Sequence, residues 1–125
     1  MRKTKSILTS KTGNVGVLLS LAALPLFGLA AGAVDFANAR RFESDMQNAA
    51  DAAVLAGARE TGEAREARAH EIFDRNLVAL GDIDITARAF TEIEKGARYE
   101  ARASMPTLIM GLFGTPVLPI AVSSE

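Results

Sequence analysis

The sequence predicts an α+β fold: a long N-terminal helix, a short second helix and a small three-stranded antiparallel sheet. Three observations carry this. Gly13–Arg59 is rich in Ala and Leu and has its single proline, Pro25, in the apolar half. Glu63–Leu80 repeats apolar residues at helical spacing. From Asp82 the period falls to two, the spacing of a strand with one buried face.

The long helix divides in two. Val15–Val34 is twenty residues without a formal charge. An α-helix of about that length crosses a ~30 Å hydrocarbon core at ~1.5 Å per residue. Met1–Asn14 precedes it with Arg2, Lys3, Lys5 and Lys11 and no acid. Basic residues collect on the cytoplasmic side of a span. The expected organisation is a cytoplasmic basic tip (residues 1–14), a transmembrane helix (15–34) and an extracytoplasmic α+β domain (35–125). Pro25 is expected to kink or loosen the span, a defect tolerated where neighbours repair the freed backbone group.

A second reading of the same segment is a cleaved signal peptide, with Ala31-Gly32-Ala33 fitting the A-x-A cleavage pattern. It would release a small secreted or envelope binding domain after Ala33. The length of the apolar run, and its passage into helix-forming sequence, favour the anchor. Gly28 and Gly32 form a GxxxG pair, spacing that lets two helix backbones approach in lipid. Asp35 comes directly after the span. It either marks the water boundary or pairs with a neighbouring subunit.

Beyond Asp35, Ala39, Phe42, Met46, Ala49, Ala53 and Ala56 succeed one another at spacings of three and four, an a/d seam. Arg40, Arg41, Glu43, Ser44, Gln47, Asn48 and Asp51 fall away from it. The seam suits packing on the chain's own sheet, on a helix of another subunit, or on both along its length. Arg41 and Asp45 form an i,i+4 pair.

Thr61-Gly62 ends this helix. In the second, Ala69, Ile72, Phe73, Asn76, Leu77 and Leu80 share a side, and Gly81 is placed to be its C′ residue. Ile83, Ile85, Ala87, Ala89, Thr91 and Ile93 then alternate with Asp84, Thr86, Arg88, Phe90, Glu92 and Glu94. Ala97, Tyr99, Ala101, Ala103 and Met105 alternate with Arg98, Glu100, Arg102 and Ser104. Glu94-Lys95-Gly96 suits a hairpin loop, with Gly96 free to take positive φ. Ile83, Ile85, Ile93 and Tyr99 are expected to pack on a helix, and Arg98, Glu100 and Arg102 to line the wet face. Pro106–Phe113 reads as a short helix or turn, comfortable with Pro at its start. Its Leu108, Ile109, Leu112 and Phe113 either cap one end of the sheet or dip into the membrane surface. Thr115–Ser123 reads as a last strand, held to an edge by Pro116 and Pro119.

Composition excludes several functions. The chain has 125 residues, of which about ninety lie beyond the span, enough for one small domain. That part holds all fifteen acids against ten Lys and Arg, a balance of about −5. Nucleic acid, which needs Lys and Arg on its phosphates, is not an expected partner. The absence of Cys removes disulfides, thiolate metal sites and a Cys nucleophile. His70 is the single His, too few ligands for zinc. Neither phosphate-binding glycine motif nor a G-x-S-x-G elbow is present. Glu60, Glu63, Glu66 and Glu71 interleave with Arg59, Arg65, Arg68 and Arg75, the pattern of a solvated helix face. No catalytic, cofactor or metal site is predicted, and no small-molecule substrate. The chain is not expected to be an enzyme.

Several short motifs stand in one order: Gly13-Asn14-Val15, Leu24-Pro25-Leu26, Gly28-Leu29-Ala30, Ala33-Val34-Asp35-Phe36, and Met46–Ala58 with the sequence MQNAADAAVLAGA. Together they resemble the N-terminal segment of the TadE/TadG-like Flp (tight adherence) pilus-assembly family. Met105-Pro106-Thr107-Leu108 and Gly111-Leu112-Phe113-Gly114 resemble the later region of many members. The resemblance implies a bacterial cell-envelope protein, single-pass in the inner membrane, that works in Flp-type pilus assembly. Its partners would be membrane lipid and other pilus-assembly or pilin-like proteins, met through the N-terminal helix. The layout predicted above is pilin-like. The expected packing residues are Gly28, Gly32, Ala39, Phe42, Met46, Ala49, Ala53 and Ala56. Larger members continue into a region resembling a von Willebrand factor A domain, for which this chain is too short and lacks the D-x-S-x-S metal motif. Pilins are processed after a Gly with Glu five residues on. Here the fifth residue after Gly13 is Leu18, which argues against processing at Gly13.

Overall fold

The computed structural model describes residues 11–78, 81 and 83–125, with side chains from residue 15 onward. The basic tip up to residue 10, Leu80 and Asp82 lie outside the described residues. The fold is α+β: helix α1 (Lys11–Arg59), helix α2 (Ala64–Leu77), strands β1 (Asp84–Ile93) and β2 (Gly96–Pro106), a 3₁₀ turn (Met110–Phe113) and strand β3 (Val117–Ser124).

Helix α1 runs unbroken through Pro25 for 49 residues. It stops where Gly62 takes φ +61°, a conformation that a Cβ disfavours. The chain reverses there, and α2 packs back along the charged half of α1. Ala69, Phe73 and Leu77 form the buried face of α2. Ile72 is only half-buried and Asn76 is exposed, so the buried stripe is narrower than the sequence pattern suggests. Gly81 has φ +87°, but α2 already ends at Leu77 with Val78 as its cap. Gly81 therefore serves the α2–β1 connection and is not the C′ residue of the helix.

The sheet is antiparallel in the order β1-β2-β3. Strand β2 is central and turns Ala97, Tyr99, Ala101 and Ala103 inward. Ile120 and Val122 of β3 join them in the core. Pro119 lies opposite Ser104 in β3, which bonds to β2 alone and so can hold a residue with no N–H to give. The seam of α1 closes this core. Phe42, Met46, Ala49 and Ala53 are buried, Ala39 and Ala56 half-buried, and Ala50 and Val54 are buried beside them. Small side chains on both the helix and β2 suit close packing of helix on sheet.

Strand β1 departs from simple alternation. Ile85 pairs with Ala103, but Ala87 pairs with Arg102, leaving Thr86 without a partner. This bulge inverts the strand's faces beyond it. Ile83 and Ile85 pack on the core as expected. After the bulge the inward set is Arg88, Phe90 and Glu92, not Ala87, Ala89, Thr91 and Ile93. Arg88 pairs with Asp74 of α2, and Arg65 of α2 pairs with Glu92 at 2.8 Å. Phe90 packs against the core, with the Arg65 guanidinium 5.8 Å from its ring centroid. Ile93 is therefore not a core residue. The physical reason is register: one extra residue shifts every later side chain to the opposite face.

The hairpin turn differs in another detail. Ile93 pairs with Gly96 across Glu94-Lys95. Gly96 does not take positive φ, and neither do Glu94 and Lys95. On the outer face of β2, Glu100 and Arg102 are exposed as expected, while Arg98 is drawn into a pair with Glu125.

Candidate functional site

The apolar half of α1 stands free of the rest of the chain. From Val15 to Leu29 its large side chains are between 60% and 75% exposed. Of the helices described, α1 is long and apolar enough to cross a membrane. Gly28 and Gly32 lie on this half, and a Cβ added at either would meet nothing within 4 Å. Pro25 does not interrupt the helix. Ser20 returns its hydroxyl to the Gly16 carbonyl at 2.8 Å, a bond that keeps a polar side chain satisfied on an apolar surface.

The free half ends at Asp35, and the domain begins there. Asp35 is 1% exposed, the one buried charged residue among those described. Its carboxylate accepts three backbone N–H groups from the β2–β3 loop. Leu108 donates to Oδ1 at 3.0 Å, Ile109 to Oδ2 at 3.0 Å and Met110 to Oδ2 at 2.7 Å. A buried carboxylate is costly unless it is paired or hydrogen-bonded. Here three consecutive amides at the start of the 3₁₀ turn supply those bonds. The Met110 amide above all, and then those of Ile109 and Leu108, hold the carboxyl below its ordinary value of 3.8 against the opposing effect of burial.

Asp35 thus fixes the loop to the helix. The loop closes on itself as well. Thr107 N–H donates to the Pro116 carbonyl at 3.0 Å, and Thr115 N–H to the Met110 carbonyl at 3.1 Å. Thr107 Oγ1 donates to the Thr115 carbonyl at 2.5 Å. Gly114 ends the turn at φ +92°. The apolar side chains of the loop do not enter the core. Leu108, Leu112 and Phe113 are 74%, 83% and 72% exposed, and Phe36, next to Asp35 on α1, is exposed too. The capping of the sheet by this loop, one of two possibilities in the sequence, is therefore not its arrangement for these three residues. Of its apolar side chains, only Ile109 and Met110 are half-buried.

His70 is half-buried and not a bare surface residue. Its Nδ1 lies 2.8 Å from the Tyr99 hydroxyl, and its Nε2 3.4 Å from Glu66. Tyr99 is fully buried, with the Phe73 ring 4.8 Å away, centroid to centroid. Burial pushes the Tyr99 phenol far above its ordinary value. His70 therefore meets the one polar atom of a core tyrosine. No group of His, Asp and Glu among the described residues could hold a metal ion.

Sequence reasoning located Asp35 but not its partner. The amides it binds are 73 to 75 residues away, on a loop whose side chains show no preference for a carboxylate. No local signal marks such a pairing.

These features define a class: a small α+β domain folded onto one half of a long helix, whose other half is bare and apolar. Residues 13–60 match the Tad family model, the Flp pilus-assembly TadE/G-like family. The match spans the apolar half of α1, Asp35 and the whole alanine seam, and ends one residue past the helix. No curated protein and no solved structure matches the chain.

Proposed function

We propose that this chain is a membrane-anchored, structural or minor-pilin-like component of Flp/Tad-type pilus assembly. The observation that carries the reading is the family match over residues 13–60, which falls on a helix with a bare apolar half. In this reading residues 15–34 cross the bacterial inner membrane once. The basic tip stays in the cytoplasm and residues 35–125 lie outside. The open Gly28 and Gly32 surface receives a helix of another pilus-assembly or pilin-like protein in the lipid. The buried part of the seam serves the chain's own fold, so contact with a partner falls to the apolar half. The role is assembly by helix packing and not catalysis.

Two measurements test this. Deletion of the gene should abolish or impair pili and adherence, and normal pili would overturn the pilus role. Mass determination of the mature protein should find residues 15–34 retained. A mature N-terminus at Val34 would replace the anchor with a released domain.

A further inference from the structure

We propose that the loop between β2 and β3, residues 107–114, is a second membrane-contact element: it enters the bilayer interface beside α1 and seats the domain on the lipid surface. The inference rests on the reading of residues 15–34 as a span, and adds to it a surface and its occupant.

The position of the loop is set by Asp35. That residue lies ~1.5 Å along the helix axis from Val34, the last residue of the uncharged run. Three bonds of 3.0 Å or less join its carboxylate to Leu108, Ile109 and Met110. The loop is therefore held at the level where the apolar helix meets water. A span ending near Val34 places the loop in the interface without any further movement.

The surface of the loop suits lipid. Leu108, Leu112 and Phe113 are exposed, and so are Val34 and Phe36, which flank Asp35 on the helix. No formal charge occurs from Ala103 to Ser124. Exposed apolar groups gathered in one place mark a contact site. The first basic residues above it, Arg40 and Arg41, come about 8 Å further along α1, at the height of headgroups. Arg40 lies 5.2 Å from the Phe36 ring centroid. An apolar tip below a basic collar is the arrangement of interfacial segments.

The backbone of the loop is compatible with this position. A segment that leaves water must satisfy its amides within the protein. Here seven N–H groups of the segment, those of residues 107, 108, 109, 110, 112, 114 and 115, are bonded within the chain. Three of them reach no carbonyl and are served by Asp35 instead. The lipid surface is thus the occupant that accounts for the exposed side chains at this height, and the bonded backbone lets the loop enter it.

The experiment uses the full chain in phosphatidylethanolamine–phosphatidylglycerol vesicles. The chain has no Cys, so Leu112→Cys and Phe113→Cys each accept one environment-sensitive fluorophore. Leu24→Cys reports the span. Lys95→Cys reports the far hairpin, at the other end of β2, about 33 Å away at ~3.3 Å per residue. Labels at 112 and 113 should be blue-shifted and lose emission to lipids carrying a shallow nitroxide, whereas the label at 95 should respond to aqueous iodide alone. If the label at 24 is quenched by a deep nitroxide but those at 112 and 113 respond only to iodide, the proposal is overturned and the span stands. If the label at 24 reaches no lipid quencher, the span and the proposal fall together. Labels at 112 and 113 shielded from both iodide and lipid would mean a protein occupant, and would also overturn it.

Discussion

Met110 donates its backbone N–H to the carboxylate of Asp35 at 2.7 Å, across 75 residues of chain. With the Ile109 and Leu108 amides, this bond joins the last strand connection to the point where the long helix leaves the domain. One side chain thereby sets the height of an apolar loop against an apolar helix.

Asp35→Ala should release the loop without unfolding the domain. The core formed by Met46, Ala53, Phe73 and Tyr99 contains no atom of Asp35. Hydrogen exchange should show faster exchange of the Leu108, Ile109 and Met110 amides, with those of Tyr99 and Ala101 unchanged. Equal loss of protection in loop and sheet would mean that Asp35 supports the whole fold. Asp35→Asn should give an intermediate result, because the amide keeps one acceptor oxygen.

The same contact sets an acid limit. The carboxyl of Asp35 is held below its ordinary value of 3.8 by the Met110, Ile109 and Leu108 amides. A group depressed in the folded state contributes stability that is present above its unfolded value. That contribution is lost as pH falls through the folded value. Loop anchoring should therefore be intact at neutral pH and weaken only below about pH 4. Loop amide shifts monitored by NMR through this range should titrate in the wild type and stay flat in Asp35→Ala. Tyr99 sets the opposite limit. Its value is raised by burial, so stability should decline as pH rises past the ordinary tyrosine value near ~10.

Gly57 is buried where α1 meets α2 and β1. A Cβ there would come within 2.8 Å of the Phe90 ring and 3.0 Å of the Arg65 carbonyl oxygen. The ring can shift, but the backbone of α2 cannot do so without disturbing the helix pair. Gly57→Ala should cost about 1–3 kcal/mol, despite the better helix propensity of Ala. Urea denaturation of the domain measures it. A neutral or stabilising effect would show that the Phe90 pocket is looser than its geometry indicates.

Ala53 and Asp51 are two residues apart in α1 and should differ sharply. Ala53 is fully buried, whereas Asp51 is exposed and accepts a bond from Gln47 at 3.0 Å. Ala53→Arg would place a cation in a core with no acid to meet it, at a cost of several kcal/mol. Asp51→Arg should cost about 0.5 kcal/mol or less. Because Ala53 faces the chain's own core, its variant should fail as a folded domain, by circular dichroism and proteolysis, before any partner is involved.

Tyr99→Phe should cost about 0.5–1.5 kcal/mol, the net contribution of one hydrogen bond, since the His70 Nδ1 loses its partner 2.8 Å away. Phe73→Ala, beside the same ring, should cost about 3–5 kcal/mol, because it empties a fully buried site. Thermal melts of the two variants should rank in that order.

Features that depend on local periodicity and composition were legible in the sequence. Alanine at helical spacing revealed α1 and its seam, the side shared by Ala69, Ile72, Phe73, Asn76 and Leu77 revealed α2, and the alternation in β2 named its inward residues. Uncharged stretches marked both the apolar half-helix and the apolar loop. Features that depend on pairing between distant segments were decided only by the fold. The unpaired Thr86 reversed the faces of β1, so that Phe90 and not Ile93 reached the core, and no residue type near Thr86 requires a bulge. The burial of the seam was decided by which surface lay nearest, and the chain's own second helix and sheet close the core that holds Met46 and Ala53. Asp35 found its partners only when the fold brought three free amides to it. A side chain's period is written along the chain, whereas its partner is set by where the rest of the chain comes to lie.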